Sequence, residues 1–229
     1  MQRVCAWSGP AFAAIMAFSL IIMGYMPPQS PLADPAEVAA HYEERRTLIR
    51  LGAALIMSAS TLALIWVVSI SMQLRRIEGA TPTLAVMQLV CGVGGIYGFL
   101  IVGAAWTIAA FRPERDPEII QAWNDFGWVM LLMPIFSLTV QAFAIGFAIL
   151  SDTRARPLFP RWVGYANYWT GLALLPGIPL TFFKTGPFAW DGVLVFWLAL
   201  VVFVSWLILM AVTVDRAILT SDEDLARPG

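Results

Sequence analysis

Residues 192–214 read GVLVFWLALVVFVSWLILMAVTV, 23 positions without one Asp, Glu, Lys or Arg. A helix of about 20 apolar residues crosses the roughly 30 Å hydrocarbon core of a bilayer. Working outward from this run, five more uncharged stretches occur at 4–33, 51–74, 79–111, 126–151 and 162–183, of 30, 24, 33, 26 and 22 residues. Each suffices for one crossing and none for two. Barrel strands fit poorly, because they alternate over about 10 residues whereas these runs are apolar throughout. The pattern predicts an all-α polytopic transmembrane bundle of six helices, spanning about 5–26, 49–72, 83–110, 125–150, 161–182 and 192–214. These form a single domain, 1–219, and the polar residues 220–229 read as a disordered cytoplasmic tail.

Composition agrees. Of 229 residues, 59 % are hydrophobic and 13 % charged, against roughly 45–50 % and about 25 % in soluble domains. The 14 basic and 15 acidic residues leave no positive excess for nucleic acid, and two cysteines do not make a disulfide scaffold. Cys5 and Cys91 fall at different expected depths, so both read as free thiols.

The limits of the spans carry local signals. Val4 to Met26 is longer than the 7–15 residues of a signal-peptide core, so the first span reads as retained. Thr81-Pro82 and Phe159-Pro160 fit first-turn prolines of the third and fifth helices. Asp191 is placed to cap the sixth. Trp7, Trp128, Trp162, Trp190 and Tyr25 sit near span ends, where an aromatic belt belongs. Asp34-Pro35-Ala36-Glu37 and Asp116-Pro117-Glu118 are helix-start patterns, predicting two short outer-face helices before the second and fourth spans. Eight arginines fall on the face carrying the termini, against six basic residues opposite. By the positive-inside rule both termini are then cytoplasmic.

The absences narrow the chemistry. One histidine, His41, excludes bis-histidine haem and multi-histidine metal sites, so neither metal nor cofactor is expected. No phosphate loop, G-x-S-x-G or H-E-x-x-H pattern occurs. Arg46 and Arg50, four apart, share a helix face and could hold an anionic head group. The plainer reading is a solvated face with local ion pairs such as Glu43–Arg46. Asn124 and Asp125 stand at the mouth of the fourth span, where Asp125 is either a cap or a proton donor. Within that span Gly127, Met130, Pro134, Ser137 and Gln141 lie on one face. Pro134 frees the Met130 carbonyl, and Gln141 needs a partner across the bundle. That face is either a packed seam or a polar stripe lining a cavity.

In the fifth span, Asn167 adds a polar group, and Leu175-Pro176-Gly177-Ile178-Pro179 must interrupt the helix. Such a break marks either a binding site or an early helix end. Gly94 and Gly98 form a G-x-x-x-G seam for a neighbouring helix, a second copy or a partner membrane subunit.

His41-Tyr42, Arg46…Ile49-Arg50-Leu51-Gly52, Leu74-Arg75-Arg76-Ile77-Glu78-Gly79 and Phe159-Pro160-Arg161-Trp162-Val163-Gly164 resemble motifs of small bacterial six-span integral membrane proteins. The resemblance covers about a third of the chain. It implies a six-helix fold in the bacterial inner membrane and nothing about chemistry.

Two functions fit these residues. In the leading one the chain binds or translocates a small amphipathic or hydrophobic molecule, or serves as a membrane subunit, with Arg46, Arg50, Asn124, Gln141 and Asn167 as binding residues and membrane lipids as surroundings. The alternative is a cyclase- or isomerase-like membrane enzyme acting on a lipidic or terpenoid substrate. Its catalytic candidates are Glu43, Glu44, Asp125 and Asp191, acids gathered at one expected end. Small membrane-embedded terpene cyclases place an acid pair that way, but their motifs are not matched and they usually have seven spans.

Overall fold

The computed structural model describes residues 1–226, and among them it contains helices and no strand. Eight α-helices occur: α1 Gln2–Met23, α2 Pro35–Glu44, α3 Arg46–Glu78, α4 Thr83–Phe111, α5 Pro117–Leu132, α6 Ile135–Leu150, α7 Arg161–Leu174 and α8 Leu198–Ala226. Five helical stretches are long and apolar enough to cross a membrane, counting Pro117–Leu150 as one. The expected fifth span is the exception. Its α-helix stops after 14 residues, and Leu175–Phe182 continues as eight residues of 3-10 helix. Pro176 and Pro179 have no N–H to give an α-helical ladder, which explains the change.

The long helices form a closed ring. α1 packs on α3, α3 on α4, α4 on α6, α6 on α7, α7 on α8, and α8 returns to α1. The closure is polar at one end, where Arg3 donates to both carboxylate oxygens of Asp215 at 2.7 and 3.2 Å. Outward faces stay apolar along every long helix, with Val90, Tyr97, Phe147, Trp169 and Val201 all more than half exposed. A soluble monomer rarely tolerates so much exposed apolar surface.

Local chemistry sets the turns. Gly24 takes φ 76°, which other residues avoid, and the Tyr25 N–H then bonds the Leu20 carbonyl at 2.9 Å. That turn sends Tyr25 into the core. Asp34 caps α2 as its sequence predicts, accepting from the Glu37 N–H at 2.8 Å. α4 starts at Thr83 behind Pro82, one position later than a first-turn proline would give, and it has no cap of its own. Glu78, at the end of α3, fills that role by accepting from the Leu84 and Ala85 amides at 2.8 and 2.7 Å.

Several expectations need correction. The second short outer helix is not separate: Pro117 opens α5, and nothing interrupts it before Leu132. Asp191 does not cap the last helix. Gly192 holds that position, and a single π-helical turn, Val193–Trp197, precedes α8. A Cβ on Gly192 would lie 2.5 Å from the Gly186 and Pro187 carbonyl oxygens, so the loop folds tightly over it. α8 runs on to Ala226, where a disordered tail was expected from residue 220; positions 227–229 of that tail lie outside the described residues. The aromatic belt is half realised. Trp7 and Trp162 face outward, whereas Tyr25 and Trp128 are fully buried.

Candidate functional site

Three interruptions in three different helices meet at one place. α5 ends at Leu132, and Pro134 opens α6 after a break. α7 gives way to 3-10 helix after Leu174. The π turn before α8 carries Phe196. Met130, Pro134, Leu174 and Phe196 all line a single cleft in the middle of the ring, together with Leu20 of α1 and Gly98 of α4. Its free volume is about 70 Å³, several times the roughly 10–15 Å³ that one water requires. Every lining side chain is apolar, so a water there finds few hydrogen-bond partners.

Gly98 shapes one wall, since a Cβ there would sit 3.0 Å from Cγ of Pro134. Gly94 likewise faces Oγ of Ser137, at 3.1 Å from where its Cβ would be. The G-x-x-x-G seam therefore serves this chain's own α6. Ser137 reinforces the contact by donating to the Cys91 carbonyl at 2.6 Å.

Above the cleft, at the α2 end of the ring, an aromatic cluster closes the bundle. Tyr25 packs against both Trp106 and Trp128, with ring centroids 4.8 and 5.2 Å away, and the two indoles also touch each other at 5.4 Å. Phe196 belongs both to the cleft and to this cap, lying 6.1 Å from the Trp128 ring. Tyr25 donates to the Tyr42 hydroxyl at 2.7 Å, and Tyr42 donates to Oδ1 of Asn124 at 3.2 Å. Burial raises both phenols well above the usual range, and the charge of Asp125 pushes Tyr42 the same way. His41 stacks on Tyr25 and bonds the Met23 carbonyl through Nε2 at 3.0 Å. Burial is the main reason its pKa falls below 6.5, with Arg45 adding to the shift.

The residues singled out in the sequence do not converge on one site. Asn124 is buried and bonded to Tyr42. Gln141 is also buried, and its Nε2 donates to Oε1 of Gln88 at 2.9 Å. Gln88 in turn donates to the Val67 carbonyl at 3.1 Å and to Ser71 at 2.6 Å. Asn167 ties α7 to α8, accepting from Nε1 of Trp206 at 2.8 Å. Arg50 lines a groove between α3 and α4, and Arg46, one turn earlier on α3, donates to the Phe111 carbonyl at 3.2 Å. The face shared by Gly127, Met130, Pro134, Ser137 and Gln141 is divided by the break. Met130 and Pro134 line the cleft, while Ser137 and Gln141 bond to α4.

Glu43 and Glu44 are exposed on α2, whereas Asp125 and Asp191 are half-buried. No carboxylate lines the cleft. Among the described residues, no three of His, Cys, Asp and Glu form a metal-sized group, and both cysteines are free. The Glu43–Arg46 ion pair is not formed, because Arg45, at φ −106° and ψ 16°, ends α2 and sets the two residues on different helices.

Sequence reasoning missed Gln88, Ser71 and the inward turn of Tyr25. Gln88 carried a usable signal, a lone amide inside an uninterrupted apolar run. Compared with family models, curated proteins and solved structures, the chain matches none.

Proposed function

We propose that this chain is an integral membrane protein of the bacterial inner membrane, with cytoplasmic termini, that binds or translocates a small hydrophobic molecule through its central cleft. One observation carries the reading: the breaks in α5–α6, α7 and the start of α8 all border the same apolar space. Irregular backbone at membrane depth is tolerated where it is buried in protein or lines a cavity. Discontinuous helices of this kind border the binding sites of transporters, and π turns recur at functional positions. The wholly apolar lining selects an alkyl chain or a ring rather than a charged group. Proton-transfer catalysis draws no support from the cleft, which holds no acid.

Filling the cleft tests the reading. Ala199 lines it and is 9 % exposed, so Ala199→Phe projects a ring into the free space. Small molecules extracted from the purified protein are compared by mass spectrometry between wild type and variant. An apolar compound in stoichiometric amount, present with the wild type and depleted from A199F, is the expected result. Identical extracts containing only bulk lipid sink the proposal.

A further inference from the structure

A groove lies between α3 and α4. The two helices meet closely at Gly103, where an added Cβ would meet Met57 and lie 2.9 Å from the Ala53 carbonyl oxygen. Met57, Ala54, Leu51, Arg50 and Thr47 of α3 and Thr107 of α4 line the groove, which has a volume of about 480 Å³. Ligand pockets run from about 300 to 1,000 Å³. Polarity changes along its length. From Met57 to Arg50 is seven residues, or about 10 Å of helix, and the surface passes from apolar to cationic over that distance.

The charged end is unsatisfied. Arg46 spends Nη2 on the Phe111 carbonyl at 3.2 Å, but its Nε is buried with no hydrogen-bond partner. Arg50 is exposed, and its guanidinium lies 5.8 Å from the Phe111 ring centroid. Among the described residues neither arginine has a carboxylate within ion-pair distance. The Arg50 guanidinium offers forked donors that match a phosphate, and Arg46, four residues before it on the same helix face, adds a second positive charge beside it. Both stand at the end of a membrane-length helix, at the depth where lipid head groups lie.

We propose that this groove is a binding site for one anionic phospholipid, whose phosphate is held by Arg46 and Arg50 and whose acyl chain lies on Leu51, Ala54 and Met57. The juxtaposition of two uncompensated cations with a continuous apolar trough carries the assignment. A soluble anion would use the arginines and leave the trough bare. The site rests on the membrane reading but not on the central cleft, so the A199F experiment and this one fail independently.

Full-length protein in mild detergent is titrated with phosphatidylglycerol, with phosphatidylcholine of the same chains, and with soluble glycerol phosphate, and bound species are counted by native mass spectrometry. Wild type is expected to take up one phosphatidylglycerol with about tenfold preference over phosphatidylcholine. Preference should vanish in R46Q/R50Q and persist in the neighbouring control R112Q. Ala54→Phe, which fills the trough and keeps both charges, should weaken binding of either lipid. R50Q alone removes no hydrogen bond to the protein, so it keeps the test available if the double variant does not fold. Equal affinity for the two lipids overturns the proposal, as does an unchanged preference in R50Q and R46Q/R50Q. Glycerol phosphate binding as tightly as phosphatidylglycerol would show an anion site without a lipid, and equally overturns it.

Discussion

The Tyr25 hydroxyl donates to the Tyr42 hydroxyl at 2.7 Å, with both side chains at 0 % exposure. Tyr25 leaves the end of α1, Tyr42 lies on α2, and the next acceptor in line, Asn124, belongs to α5. One directional chain of hydrogen bonds therefore fastens three elements over the cleft. Each oxygen in it is buried, so each broken link leaves a desolvated group behind.

Tyr25→Phe and Tyr42→Phe should differ because of that direction. The first removes one donor and leaves Tyr42 bonded to Asn124, at a cost of about 1 kcal/mol. The second strips partners from both neighbours and should cost about 2–3 kcal/mol. Thermal unfolding of the two variants and their double mutant measures the gap. Equal losses would mean that the chain does not run in this direction.

Gln88 is the hub of the interhelical amide network, bonded to Val67, Ser71 and Gln141. Gln88→Leu should therefore destabilise more than Gln141→Leu, which in turn should cost roughly 1 kcal/mol. The double variant should recover part of the Gln88→Leu loss, since no lone amide remains. A double-mutant cycle in detergent reads the coupling, and strict additivity would contradict it.

Gly127 packs against the Trp106 indole so closely that an added Cβ would collide with its Nε1. Trp106 has no room to yield, being fully buried against Tyr25 and Trp128. Gly127→Ala should cost about 1–3 kcal/mol through overpacking, despite the alanine's better helix propensity. A rise in melting temperature would refute this packing.

His41 supplies a pH dependence. Its folded pKa is below the ordinary 6.5, so its stabilising contribution is complete above 6.5. As pH falls below that value the unfolded chain takes up a proton that the folded chain refuses, and stability declines until the folded pKa is passed. The chain has one histidine, so no other imidazole contributes in this window. Unfolding temperature measured from pH 8 to pH 5 should drop in wild type and stay flatter in His41→Gln, which retains an N–H donor.

Asp152 acts in a more acid range. Its carboxylate is held at about 2, below the usual 3.8, chiefly by the Arg154 side chain and also by the Leu158 amide. Stability from this loop is full above 3.8 and lost as pH falls toward 2. With Arg154 partly exposed and the pair screened by solvent, Asp152→Asn should remove about 1 kcal/mol at neutral pH, as read by denaturant titration at pH 7, and should abolish that acid transition.

Uncharged run length and helix-start chemistry were enough to foresee the helical bundle. Asp34 caps α2 as its spacing demands, and Pro134 breaks the fourth span where its missing N–H requires. Side-chain partnership was less legible. Gln141 announced its need for a partner, but hydrocarbon-depth polarity does not say which helix supplies it. Asp191 looked like a cap, yet the preceding loop folds onto Gly192 and delivers that residue instead. Tyr25 resembled a belt residue because sequence position gives depth and not direction; the left-handed turn at Gly24 decides direction. Convergence of three helix breaks on one cleft is a tertiary property, visible only once the ring is closed.

The two bonds from Glu78 to the amides of Leu84 and Ala85 reach beyond their own turn. A newly made hairpin of α3 and α4 carries the counter-charge for its second member within its own connection. As it inserts, the Leu84 and Ala85 amides already have their acceptor and wait for no later segment. The remaining helices then have a finished wall to assemble against.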